Sequence, residues 1–352
     1  SIVNGELEFS PVAGFVGTAT CTYQVCDSSG TRCDQADWMI EVDQPICNKF
    51  LPSDGVASDY FGSYVDVDGD RAIVSSFADD DNGSASGSVY IYEFNGNNWV
   101  QQQKLVASDG VANDNFGMGV QIYGDMAVVA APRDDDNGSA SGSVYVFEYD
   151  GSTWAEVQKI TASDGAANDY FGGYENTTPW SAAKPQGVSL DDDVLVVGAN
   201  GDDDNGSASG SAYVFIHNGV EWIESQKLTQ SDGVASDEFG WSVSVDSDRI
   251  LVGSPYDDDN GSSSGSAILF EFNGTTWVET VKLTSSDGAG SDFFGTALSI
   301  SEDFIAVGAY GDDDNGSVSG SVYMFEWDGS SWVEIIKLVA NDGVASDWFG
   351  FD

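Results

Sequence analysis

Phe-Gly pairs recur through this 352-residue chain at a nearly fixed spacing, and that spacing decides what the chain can fold into. The pairs begin at Phe61, Phe116, Phe171, Phe239, Phe294 and Phe349, at intervals of 55, 55, 68, 55 and 55 residues. Each follows a Ser/Asn-Asp-Gly turn, as in Ser53-Asp54-Gly55 or Asn341-Asp342-Gly343. Each of the five complete units also carries Asp-Asp-Asp-Asn-Gly-Ser, beginning at Asp79, Asp134, Asp202, Asp257 and Asp312. A period near 55 is far too long for a helical repeat and suits a propeller blade of four short strands. The single 68-residue interval marks an insertion of about 13 residues in unit three, around Tyr174–Gln186.

The fourth unit shows how one blade is written. Trp241–Val245 alternates, Asp246-Ser247-Asp248 turns, and Arg249–Gly253 is apolar. The Asp257–Gly265 loop follows, then a strand at Ser266–Phe272, an Asn273-Gly274 turn and a last strand at Trp277–Leu283. Period-two alternation broken by Asn-Gly or Asp-Gly turns predicts hairpins and no helix. Trp99, Trp154, Trp222, Trp277 and Trp332 each stand three residues beyond the turn Gly and read as packing between blades. The Phe of each Phe-Gly reads as core, and its Gly as a place where another backbone comes close.

The chain carries 59 Asp+Glu against 11 Lys+Arg, a formal charge of −48. Such a chain repels nucleic acid and anionic membrane surfaces, so neither is expected as a partner. Yet 41% of its residues are apolar and 12% aromatic, which excludes a disordered acidic chain. No run of residues is long and apolar enough for a membrane span, so none is expected to insert. All four cysteines, Cys21, Cys26, Cys33 and Cys47, lie near the N-terminus and read as disulfides of an oxidising compartment. Cys26 and Cys33 flank the Asp27–Thr31 turn and are expected to pair across a hairpin, which leaves Cys21 to Cys47.

From about Cys47 to the end, the Phe-Gly sites resemble the FG-GAP repeats of the integrin α-subunit propeller and of many bacterial surface proteins. The second element is degenerate, as in Ala130-Ala131-Pro132, Gly253-Ser254-Pro255 and Gly308-Ala309-Tyr310. The stretch Phe9–Gly17 followed by Tyr23–Asp27 resembles the C-terminal part of a cadherin-like or Ig-like repeat. The expected fold is therefore all-β. Residues 1–45 form a partial Ig-like sandwich with strands near Glu6–Ser10, Thr18–Cys26 and Thr31–Val42. Residues 46–352 form a propeller of five complete four-stranded blades plus partial ones at the ends. Asn48–Leu51 aligns with the end of a fourth strand.

Connectivity sets the chemistry. In a four-stranded meander the loops joining strands two to three and strand four to the next blade emerge on the same face. That face collects Asp79, Asp80, Asp81, Asp134, Asp135, Asp136, Asp202, Asp203, Asp204, Asp257, Asp258, Asp259, Asp312, Asp313 and Asp314 from the first loops. The second loops add Asp59, Asp114, Asp169, Asp237 and Asp292. Hard oxygen donors at this density point to Ca²⁺, while the same residue types also cap turns. In integrins calcium loops lie between strands one and two; that connection is short here, as in Asp66–Asp70 or Ser301–Asp303. The insertion carries Tyr174, Trp180 and Lys184, the candidate contact loop, because it alone breaks the repeat. His217 stands alone without a nucleophile pattern and reads as an exposed strand-edge residue.

These observations predict a non-enzymatic extracellular or cell-surface protein for adhesion or surface structure, stabilised by calcium and bound to a protein or glycan ligand. The alternative is a filament subunit whose copies complete one another by strand exchange. A secreted hydrolase is the remote third reading.

Overall fold

The computed structural model describes residues 49–173 and 186–351 in full. It also gives the strand backbones at Ile2–Val3, Glu6–Leu7, Gly17–Cys26 and Cys33–Val42. Two compact units separate. One comprises Ser1–Phe50 with Gly96–Asn98; the other comprises Leu51–Asn95 and Trp99–Asp352.

In the first unit, Ile2–Val3 pairs with Glu6–Leu7, and Gly17–Cys26 pairs with Cys33–Val42. The longer hairpin places Cys26 opposite Cys33, and Cys21 opposite Trp38. Cys47 and the expected strand residues Glu8–Ser10 and Thr31–Arg32 lie outside the described residues. The predicted strand end at Lys49–Leu51 is not found: these residues form no strand.

The second unit is all-β: five four-stranded antiparallel sheets, each a meander in sequence order. The first strands are Val65–Asp68, Gly119–Tyr123, Val188–Asp191, Val243–Asp246 and Leu298–Ser301. The second are Arg71–Ser76, Met126–Ala131, Val194–Ala199, Arg249–Ser254 and Phe304–Ala309. The third are Ser88–Phe94, Ser143–Tyr149, Ser211–His217, Ser266–Phe272 and Ser321–Trp327. The fourth are Trp99–Leu105, Trp154–Ile160, Trp222–Leu228, Trp277–Leu283 and Trp332–Leu338. In unit four the first strand starts at Val243; Trp241, predicted to begin it, is buried just ahead of it. Every third-to-fourth ladder carries one register shift, as between Val146 and Phe147.

The core lies between sheets rather than within them. One cluster joins Ile73, Val89, Ile91 and Leu105 of blade one to Phe116, Val120, Ile122, Tyr145, Phe147 and Trp154 of blade two. The same pattern joins blades two and three, three and four, and four and five. This explains why second and third strands such as Met126–Ala131 and Ser143–Tyr149 read as near-continuous apolar runs. Sheets covered on both faces have no solvent side to alternate with. Phe116, Phe171, Phe239 and Phe294 are fully buried. Each meets the third strand edge-on, as Phe116 meets Tyr145 with ring centroids 5.4 Å apart. Trp154, Trp222 and Trp277 are buried between blades, as predicted.

Side-chain links tie consecutive outer strands. Trp154 N–H donates to Gln103 Oε1 at 2.9 Å, and Gln103 Nε2 donates to the Trp154 carbonyl at 2.7 Å. Gln158–Trp222 and Gln226–Trp277 repeat this clasp. At the fourth junction Val281 replaces the glutamine and packs with Trp332 against the apolar cluster.

The Gly that ends each acidic loop is where backbones come closest. Gly142 has φ +85°, and a Cβ there would lie 2.3 Å from the Phe171 carbonyl oxygen. Both conformation and space therefore exclude a side chain. Gly142→Ala is expected to destabilise the second and third blades by roughly 3 kcal/mol. Gly151→Ala, at a φ of +95° but with open space around it, is expected to cost less. Urea denaturation of the two variants checks the difference; equal losses would show that space at the junction is not limiting.

Candidate functional site

The two acidic loops of each blade meet, as the meander requires. What they surround is a lysine. In blade two, Lys159 of the fourth strand places its Nζ 2.7 Å from Asp109, 3.0 Å from Asp134 and 2.6 Å from Asp136. Tyr145 of the third strand turns its hydroxyl to Asp109 at 2.8 Å and Asp134 at 3.0 Å. The same node recurs as Lys104 with Asp54, Asp79 and Asp81, and as Lys227 with Asp164, Asp202 and Asp204. It recurs again as Lys282 with Asp232, Asp257 and Asp259, and as Lys337 with Asp287, Asp312 and Asp314.

Alternation builds the node. In a strand such as Trp154-Ala155-Glu156-Val157-Gln158-Lys159-Ile160 the closing apolar residue enters the core, so the preceding lysine faces the loops. Two residues of the preceding turn finish the anchoring. Ser108 donates to the Glu156 carboxylate through its N–H at 2.9 Å and its hydroxyl at 2.7 Å, and Asp109 takes the lysine. Ser163–Glu224, Ser231–Glu279 and Ser286–Glu334 repeat the first contact.

Burial opposes the charge on each of these lysines, but hydrogen bonds to three carboxylates outweigh it, and all five lie above the ordinary lysine pKa. Burial also pushes Asp109, Asp164 and Asp287 upward. Lysine and tyrosine hydrogen bonds overcome it and hold them below the usual carboxylate value. Burial and the facing carboxylates raise the Tyr145 and Tyr213 phenols.

Blade four departs from the pattern and compensates. Ile268 stands where the other blades have Tyr90, Tyr145, Tyr213 and Tyr323. Gln230 supplies the missing donor, its Nε2 lying 2.8 Å from Asp232 and 2.7 Å from Asp257.

The remaining predicted metal residues do different work. Asp79, Asp134, Asp202, Asp257 and Asp312 are buried at the node, and each Oδ1 also accepts the N–H of the third aspartate of its own loop. The middle residues Asp80, Asp135, Asp203, Asp258 and Asp313 point to solvent. Asp80, Asp135 and Asp258 accept the N–H five residues on, which closes the loop. Asp59, Asp114, Asp169, Asp237 and Asp292 are buried beside the Phe-Gly pairs. Each accepts the N–H three residues earlier, as Asp114 does from Val111 at 2.7 Å. Burial raises Asp114 to about 6, and raises Asp169, Asp237 and Asp292 as well.

Asp164, Asp202 and Asp204 offer carboxylate oxygens within 4.8 Å of one another, the spacing of a metal site. Lys227 Nζ lies 2.6–2.8 Å from those three groups. Calcium takes six to eight oxygens at about 2.3–2.6 Å, so an ion at this focus would have to expel the ammonium. The node as folded does not fit calcium.

His217 is not exposed at an edge as predicted. Its ring packs on Trp222 with centroids 5.1 Å apart, and Nδ1 lies 3.8 Å from Asp193. Tyr174, Trp180 and Lys184 lie outside the described residues. Sequence reasoning missed the lysines, although five of the 11 basic residues share one register in the repeat.

Two outcomes follow from the node and its neighbours. Gln230→Ala strips a donor from buried Asp257 and is expected to cost roughly 1–3 kcal/mol. Adding Ile268→Tyr should recover most of that loss in urea denaturation, and no recovery would disprove the exchange. For Asp114, the folded pKa near 6 lies above the unfolded value. Its contribution is favourable below about pH 4 and is lost as pH rises through about 6. Asp114→Asn keeps the acceptor and removes the charge. It should raise Tm at about pH 7 and leave Tm near that of the parent at about pH 4.

A model of the FG-GAP repeat matches residues 47–92, 99–147, 154–174, 186–215, 222–270 and 277–325. No curated protein matches. Among solved structures, a functionally unknown protein from Desulfotomaculum acetoxidans is similar, with a TM-score of 0.50 and 9% identity over 82% of this chain and 74% of that one. Identity that low shows likeness of fold alone. The repeat matches span well over half of the residues, and the chain belongs to the FG-GAP repeat family.

Proposed function

We propose that this chain is a non-enzymatic extracellular or cell-surface scaffold, serving adhesion or surface structure through its outer faces. FG-GAP repeats typically occur in extracellular or surface proteins, which agrees with this reading. One observation carries it: in each of the five described blades a lysine engages three aspartates of the acidic loops. A glycosidase needs two carboxylates whose environments push their pKa values apart. Here Asp114, the residue raised to about 6, has Asp169, Asp237 and Asp292 shifted in the same direction in the equivalent places. Repetition of the same shift in four blades is what a turn buried in each of them produces.

In this proposal the resident cation of each node is lysine, and the fold does not depend on calcium. Protein and glycan ligands are the expected partners, since the charge of −48 opposes nucleic acid.

Thermal melts and ligand screening test the reading together. Excess chelator should leave Tm unchanged, because removing a ligand lowers stability only if that ligand binds the folded state. Lys159→Met should lower stability by roughly 3 kcal/mol, because buried Asp134 loses its partner. A chelator-induced drop reversed by Ca²⁺ would return calcium to the node. Turnover on a panel of glycans would refute the non-enzymatic reading; retention on immobilised glycan or protein without turnover supports it.

A further inference from the structure

We propose that the outer hairpins of blades three and four are sites of self-modification. Asn218 and Asn273 lose their side-chain amides and become aspartate or isoaspartate, while the asparagines of the acidic loops stay intact.

Asn-Gly stands in two settings in this chain, and the structure treats them differently. Glycine leaves its own main-chain nitrogen unshielded, so that nitrogen can attack the amide of the asparagine before it. In the acidic loops the nitrogen is occupied. The N–H groups of Gly83, Gly138, Gly206, Gly261 and Gly316 donate to the carbonyls of Asp80, Asp135, Asp203, Asp258 and Asp313 at 3.0–3.1 Å. The same glycines press against the next blade: a Cβ on Gly138 would lie 3.0 Å from the Ala167 nitrogen, and one on Gly206 3.0 Å from the Ala235 Cβ. The asparagine N–H is fixed to a serine hydroxyl, as Asn137 to Ser141 Oγ at 3.2 Å, and its Oδ1 accepts no backbone N–H among the described residues. Asn200-Gly201 is held likewise: Asn200 is buried, and the Gly201 N–H donates to the Asp169 carbonyl at 3.1 Å.

At the hairpins Asn218, Gly219, Asn273 and Gly274 are exposed. The Gly219 and Gly274 N–H groups meet no acceptor among the described residues, and a Cβ on either glycine would meet no atom within 4 Å. The amide under attack is held ready. Asn273 Oδ1 accepts the N–H groups of Thr275 and Thr276, both at 3.0 Å. Asn218 Oδ1 accepts those of Val220 at 2.9 Å and Glu221 at 3.0 Å. Two donors on one oxygen draw electrons from Cγ and steady the negative charge that gathers on the oxygen in the tetrahedral adduct.

The Gly274 nitrogen gives its proton to hydroxide and bonds to Asn273 Cγ. The bond from Cγ to the amide nitrogen breaks, and that nitrogen takes up a proton and leaves as ammonia. The succinimide that remains is opened by water at either carbonyl. One route gives aspartate; the other gives isoaspartate, whose main chain runs through the side-chain carbon. One water is consumed, one ammonia is released, and nothing is oxidised. The turn already accommodates the product. Asp150 and Asp328 hold the same position in blades two and five, and each Oδ1 accepts the N–H groups two and three residues on at 2.8 and 2.9 Å.

Incubation of the folded 352-residue chain at mildly alkaline pH, followed by peptic peptide mapping with mass spectrometry, tests the proposal. Peptides holding Asn218 and Asn273 should gain the mass difference between a hydroxyl and an amino group. They should do so at least about tenfold faster than peptides holding Asn82, Asn137, Asn205, Asn260 or Asn315, a modest share of what an oxyanion donor contributes in an enzyme. An isoaspartyl methyltransferase should label the same two hairpins. In urea the loop sites should catch up, because the fold alone tells the two settings apart. Loop conversion as fast as hairpin conversion in the folded chain overturns the proposal. So do hairpin amides that persist in the folded chain while they convert in urea, or a gap between the settings that survives in urea. An Asn218→Asp/Asn273→Asp double variant supplies the product in normal linkage and should melt with the parent. A lower Tm would overturn the claim that the turns already accommodate it.

Discussion

An ammonium held among three carboxylates fastens the end of each blade to its beginning. Lys159 lies on the fourth strand, the last of its blade. Asp109 lies in the turn that precedes the first strand, and Asp134 and Asp136 lie in the loop between the second and third. One side chain therefore holds three separate stretches of the same unit. The node stays two charges negative, and its outer carboxylates are about half exposed, so water and salt screen the excess. Asp134 is buried and depends on the lysine most directly. That division keeps the buried carboxylate of each node paired with a cation while the excess charge stays near the surface.

Much of this was legible in the sequence, for identifiable reasons. The Asn-Gly and Asp-Gly turns bound the third and fourth strands closely, so Ser266–Phe272 and Trp277–Leu283 agree with the observed limits. Convergence of the acidic loops followed from meander connectivity alone. The lysine was not read, because a basic residue on an alternating strand looks like a solvated face until the loops fold over it. The exchange of Tyr for Gln230 was less accessible still. Ile268 and Gln230 lie on different elements, and only the node brings their positions together. The register shift in each outer ladder leaves no comparable mark in composition.

Density of oxygen donors in the acidic loops is not the same as their availability to a cation from solution. Asp, Asn, Gly and Ser at fixed spacing specify a loop that bonds to itself: Asp134 to the Asp136 N–H, Asp135 to the Ala140 N–H, and the Asp134 carbonyl to the Ser141 hydroxyl. A metal loop and a self-capped loop draw on the same residues. What separates them is whether a cation of the chain itself can reach the focus, and here Lys159 does so from the neighbouring strand.

The node and the blade interface also divide the work of stability. Every member of a node belongs to one repeat unit, while the apolar clusters and the Gln–Trp clasps join two. In a linear array the first is a term intrinsic to each repeat and the second couples neighbours. Lys104 and Lys337, in the first and fifth described blades, keep their nodes with contacts of 2.6–3.0 Å, as the blades between them do. The node therefore ties a blade to itself independently of the contacts that tie it to its neighbour. Removing the interface affects which blade opens first, whereas removing a node affects whether a blade holds its own outer strand.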